Sequence, residues 1–233
     1  MAPHASLLVA LGIPSLAVLT VACVVAALYA IPERGPQFAR RFALGAAVWL
    51  LVTALLAASG VLRRFELRPP PTFLLFVAML AIGVGLAASR WGEALARYTP
   101  LAWLVGFHAF RLPLELVMHA AATEGTMPEQ MTFTGANFDI ATGISAIVVA
   151  GLCAMGRAPR AVVVAWNLLG TVLLGAIVAI AVASLPLFHA FGSDPAQLNT
   201  WVLYFPFVWL PAVLVTAAWT GHLVIWRKLF MRP

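Results

Sequence analysis

Charge is what this chain has least of. Only 9% of its 233 residues are Asp, Glu, Lys or Arg, against about 25% in soluble domains, and a single lysine, Lys228, accompanies the arginines. So little charge cannot cover the water-facing surface of a chain this long, which excludes a soluble globule. Cysteine is nearly missing as well. Cys23 and Cys153 both lie inside apolar runs, so no disulfide framework is implied and free, packed thiols are expected. There is no glycine-rich phosphate loop, nucleophile elbow or paired-cysteine motif.

What fills the chain is hydrocarbon: 63% of it is hydrophobic, with a mean hydropathy of +0.99. That excess has to face lipid. A spanning helix needs about 20 apolar residues, and seven segments approach this length, at 6–30, 42–62, 72–89, 100–121, 138–155, 161–186 and 201–226. The expected fold is all-α, a polytopic transmembrane bundle of about seven spans forming one domain over 1–233. The first run lacks a preceding basic region and exceeds the length of a cleavable signal, so a retained helix is expected there.

The net charge of +6 does not point to nucleic acid, because the basic residues are scattered in twos and threes between apolar runs. With seven spans, Arg34, Arg40, Arg41, Arg90, Arg97, Arg157, Arg160, Arg227, Lys228 and Arg232 fall on one side and only Arg63, Arg64 and Arg68 on the other. An outside N-terminus and a cytoplasmic C-terminus follow. Trp91, Trp103, Trp201 and Trp226 lie near span ends, as an interfacial belt requires. The preference for Arg over Lys, with abundant Ala, Val and Leu, suggests a GC-rich bacterial source and hence a bacterial inner membrane.

Against this apolar background the fourth span, LAWLVGFHAFRLPLELVMHA, is exceptional, because it carries His108, Arg111, Glu115 and His119. At 100° per residue the four share an arc of about 80°, one narrow polar stripe. An arginine at the bilayer centre costs about 2.5 to 3.5 kcal/mol on insertion scales, so the stripe has to turn into the bundle. Arg111 and Glu115, at i and i+4, are expected to pair. Pro113 between them deprives the Ala109 carbonyl of its donor, and Pro206 and Pro211 do the same to Val202 and Phe207.

Depth along the spans sorts the remaining polar residues into two layers. The outer one comprises Glu115, His119, His189 and Tyr204, capped by Asn137 and Asp139. The inner one comprises His108, Asn167 and His222. Asp139 suits either a site or the first turn of the fifth helix, and with Glu124 and Glu129 it would give an electronegative outer mouth.

The stretch FRLPLELVMH, followed by EGTMPEQMTFTGANFDIATG, resembles an uncharacterised group of bacterial multi-pass membrane proteins. The resemblance spans residues 110–143 and implies that the fourth helix and the loop after it form the identifying core. It brings no activity.

Four functions are compatible with these residues. In the first, the protein binds or transports a small solute, ion or proton, with Glu115 and His119 as the protonatable pair and Arg111 as counter-charge. A metal-dependent intramembrane enzyme would use Glu115 and His119, completed by His189 or Asp139, as a zinc set. Haem b held by two histidines would pair His108 with His222 and His119 with His189. A scaffold subunit would use the stripe only to dock a partner. Beyond the lipid bilayer and such a solute or ion no partner is implied, and the oligomeric state is open.

Overall fold

The computed structural model describes residues 5–231, so Arg232 of the basic tally lies outside the described residues. These residues form helices and no strand. In chain order the helices are α1 (Leu7–Tyr29), α2 (Gly35–Ala58), α3 (Pro71–Ala88), α4 (Arg90–Tyr98), α5 (Leu101–Thr123), α6 (Ile140–Ala154), α7 (Arg160–Ala183) and α8 (Thr216–Phe230). Five of them, α1, α2, α3, α5 and α7, are long and apolar enough to cross a membrane, and α6 is a shorter apolar helix. Their outward faces carry Leu11, Leu44, Leu51, Leu55, Ile147 and Val172, all exposed. Apolar surface this continuous matches hydrocarbon rather than water.

Where the helices begin follows from local chemistry. Proline near the start of α2 and α3 sacrifices an N–H that has no intrahelical partner anyway. α2 starts at Gly35, seven residues before its apolar run, because Arg40 and Arg41 are good helix formers whose charged heads remain exposed. α4, RWGEALARY, falls in what reads as a loop. The Ser89 hydroxyl caps it by accepting from the N–H groups of Trp91 and Gly92, at 3.1 and 3.4 Å. Its polar edge is tied to the end of α8: Arg227 donates to the carbonyls of Ala87 and Ser89 and pairs with Glu93 at 3.2 Å, while Lys228 donates to Ala96.

Prolines shape two other places. Ala109 loses its donor to Pro113, and the turn Phe107–Phe110 inside α5 tightens to a 3-10 geometry in which the Arg111 N–H reaches His108. The last apolar segment is not a helix from residue 201 as its composition suggests. Trp201–Leu203 is a 3-10 turn, and Pro206 and Pro211 delay regular structure until a π-helical stretch, Leu210–Val215, runs into α8. Two indoles tie this stretch to α2: Trp49 donates to the Ala212 carbonyl at 2.8 Å, and Trp209 donates to Leu50 at 3.1 Å. Trp201, assigned from its position to an interfacial belt, is instead buried in the core.

In the packing, α5 lies along α6 and against α1, α7 touches both α6 and α8, and α3 runs beside α8. Gly143 makes the α5 and α6 crossing close: a Cβ there would stand 2.6 Å from the Leu112 nitrogen. This contact brings the start of α6 against the middle of α5.

Candidate functional site

Seven of the residues singled out above converge where α5, α6, α7 and α8 meet. His108, Arg111, Glu115, Asn137, Asp139, Asn167 and His222 are all buried, none more than 5% exposed. Arg111 does not pair with Glu115. Its guanidinium lies 2.7 Å from Asp139 Oδ2, and its other terminal nitrogen is 3.2 Å from His222 Nε2. Arginine precedes glutamate on the helix, the less favourable order, and the Gly143 crossing supplies a carboxylate directly opposite.

The partners fix the state of the imidazole. A guanidinium only donates, so His222 Nε2 accepts. Nδ1 then carries the hydrogen and donates to Asn167 Oδ1, 2.7 Å away. The Asn167 amide donates back to the His222 carbonyl at 3.2 Å. His222 is therefore the neutral Nδ1–H form, held from both sides. Asp139 occupies the position before α6, but its carboxylate accepts from the Thr142 hydroxyl at 3.2 Å and faces Arg111 instead of capping the helix.

Glu115 belongs to a different arrangement. Both of its oxygens accept from the Asn137 amide, at 2.8 and 2.9 Å. Asn137 is itself held by donating to the Met131 carbonyl and accepting from the Asp139 N–H. Among the described residues no cation forms an ion pair with Glu115. Arg111 balances Asp139, which leaves the Glu115 carboxylate without a matched charge in a buried place.

Glu115 also lines an opening. A cavity of about 110 Å³ lies between α3 and α7, with Arg111, Glu115 and Asp139 on one wall. Nearly all the rest is apolar, including Leu75, Phe76, Met79, Leu174 and Ile177.

His108 is fully buried, and neither of its ring nitrogens has a hydrogen-bond partner among the described residues. Its ring lies tilted by 35° against that of His222 with centroids 4.1 Å apart and meets Trp166 edge-on at 5.4 Å. Two glycines make room for the pair. A Cβ on Gly221 would be 2.7 Å from His108 Nε2, and one on Gly170 would be 2.5 Å from His222 Cε1.

The other three expected members stand apart. His119 lies tilted against Phe133 at 4.7 Å, His189 is exposed beyond α7, and the Tyr204 ring lies under the Arg63 guanidinium at 4.0 Å. Glu115, His119 and His189 are thus not brought together, and among the described residues no three of His, Cys, Asp and Glu form a metal-holding group. The histidine pairs do not suit haem either. The His108 and His222 rings lie in direct contact, 4.1 Å between centroids, which leaves no room for an iron between them, while His119 and His189 have separate surroundings. Cys23 and Cys153 are free.

Thr142, Trp166 and Asn199 escaped the reading of the sequence. Thr142 and Trp166 look like ordinary members of apolar helices. Asn199, which lines the cavity, sits in an irregular segment where periodicity carries no information.

Residues 68–230 match the model of a family described as Domain of unknown function (DUF8737). All seven clustered residues and the cavity fall inside that stretch, whereas α1 and α2 precede it. No curated protein and no solved structure matches the chain.

Proposed function

The chain belongs to the DUF8737 family, and from its own geometry we propose that it is a bacterial inner-membrane protein that binds and carries a small solute or ion, with Glu115 as the proton-exchanging carboxylate. One observation carries the reading: Glu115 is a buried acid that lacks a matched cation and opens onto a cavity. In a medium of low dielectric such a group has to bind a proton or another cation. Its neighbours Arg111, Asp139, His222 and Asn167 satisfy one another and lock the four helices that frame it.

The proposed topology has seven spans: the five long helices, α6, and Leu210–Val215 continuing into α8. The N-terminus lies outside, as the basic residues between α1 and α2, around α4 and between α6 and α7 require on the positive-inside rule. Glu124 and Glu129, both exposed, then lie toward the outer face, where acids concentrate cations, whereas Asp139 is buried against Arg111 and adds nothing to such a mouth.

The test is proton counting on purified protein in lipid nanodiscs. Between mildly acidic and mildly alkaline pH the wild type releases one more proton per chain than Glu115→Gln does. Equal release from the two folded proteins overturns the assignment.

A further inference from the structure

The acceptor groups around the cavity have a direction that the reading of Glu115 alone does not give. Asn199 is 3% exposed and lines the cavity. Its amide nitrogen donates to the Ala181 carbonyl at 3.0 Å, and its backbone N–H donates to Ser184 at 2.8 Å. A carbonyl accepts only, so the amide orientation is fixed and Oδ1 is the atom left over. That oxygen has no hydrogen-bond partner among the described residues. A buried acceptor without a donor costs about 1–3 kcal/mol.

Two features therefore point the same way. Glu115 is an unmatched negative charge on the wall and Asn199 holds a partnerless acceptor buried in the same wall, whereas among the described residues the one cation there, Arg111, already has Asp139 and His222. The space fits a group that donates and is positively charged. It does not fit a carboxylate or phosphate, which would compete with Asp139 for Arg111.

The rest of the lining sets the body of the ligand. Phe76, Phe110, Met79, Met118 and Met131 surround it with rings and thioethers. Methionine sulfur packs adaptably against aromatic rings, and aromatic faces attract ammonium. The volume of about 110 Å³ is on the scale of the roughly 150 Å³ apolar cavity that accepts benzene, so one ring or a short alkyl chain is the size that fits.

We propose that this cavity takes a small lipophilic ammonium ion, an –NH₃⁺ group on a ring-sized apolar body, which binds at Glu115 in exchange for a proton. The proposal rests on Glu115 being the proton-exchanging group. The exchange is balanced: the protonated carboxyl gives its proton to water, and the carboxylate that remains is neutralised by the incoming ammonium. No covalent bond is made.

Benzylammonium is the probe, with benzoate and benzyl alcohol as anionic and neutral counterparts of the same body. The protein, in nanodiscs and weak buffer at a pH where Glu115 is protonated, is titrated by calorimetry with a pH indicator present. The expected result is saturable binding of benzylammonium with release of a proton, at least tenfold weaker binding of the other two compounds, and no proton release from Glu115→Gln. Glu115→Asp, which keeps the charge on a shorter stem, is expected to restore proton-linked binding in part. This guards against a Gln variant that fails merely through misfolding.

Three results overturn the proposal in distinguishable ways. If benzylammonium does not bind while Glu115-dependent proton release with pH persists, the ligand class is wrong and the proton reading stands. If Glu115-dependent proton release is missing altogether, both fall. Equal binding of all three compounds, unchanged in Glu115→Gln, would make the cavity a generic apolar void and overturn the proposal as well.

Discussion

Arg111 and Glu115 lie one turn apart on the same helix and are expected to behave differently when altered. Arg111→Gln removes the cation from Asp139 and the donor from His222. Breaking one side of a buried ion pair costs about 3–5 kcal/mol, so a large fall in thermal unfolding temperature in detergent is predicted. Glu115→Gln leaves Asn137 an acceptor of the same shape, and a change of about 1 kcal/mol or less is predicted from the single hydrogen bond affected. Equal destabilisation would show that the two residues form one structural unit. Asn167→Leu leaves the His222 Nδ1–H buried without an acceptor, a cost of about 1–3 kcal/mol. In the wild type, nitrogen NMR of the imidazole is expected to show Nδ1 protonated and Nε2 not. The inverse tautomer would contradict the role given to Arg111. The polar stripe itself was legible from spacing along one helix. Its pairing was not, because helical periodicity speaks only of neighbours on that helix, and the better carboxylate for Arg111 came from the start of another.

For the helices, the sharpest prediction concerns two glycines of α6. Gly143→Ala inserts a Cβ 2.6 Å from the Leu112 nitrogen. It is expected to push α6 from α5, loosen the Arg111–Asp139 contact and cost about 1–3 kcal/mol, as overpacking does. Gly151→Ala on the same helix meets nothing within 4 Å and is expected to stabilise by about 0.5–1 kcal/mol through helix propensity. Thermal unfolding of the two variants checks the contrast, and the same sign for both would contradict the close crossing. At the C-terminal end of α5, Glu124 is held below the usual carboxylate range by hydrogen bonds from Ser6, whose side chain contributes most and whose N–H lies 2.9 Å from the carboxylate. A lowered folded-state value means that the tie between α1 and α5 is complete above the ordinary glutamate range, near pH 4.3. It is lost as pH falls through the lower folded value. The Ser6 amide resonance is expected to titrate at that lower pH and to stop titrating in Glu124→Gln. Helices of high hydropathy were visible in advance because length and apolarity decide them. α4 was not, since nine residues of mixed polarity read as a loop, and the π-helical stretch depends on how the backbone resolves two missing donors.

Across the whole molecule, the charge asymmetry and the apolar exterior argue for one orientation in a bilayer. A cysteine placed at Gln37 is expected to be shielded from a membrane-impermeant thiol reagent in intact cells, and one at Ser193 to be labelled, in a background lacking Cys23 and Cys153. The reverse pattern would invert the proposed topology and put Glu124 and Glu129 inside. Composition showed that the chain answers to lipid, and the stripe showed that something polar had to be hidden. That Glu115 alone among the clustered carboxylates lacks a cation became visible only when four helices were seen together. The most direct test is infrared difference spectroscopy of the protein in lipid, comparing acidic with alkaline states. The predicted result is a protonated-carboxyl band that disappears on alkalinisation and is missing from Glu115→Gln at every pH. A spectrum in which the folded Gln variant retains that band would contradict the account.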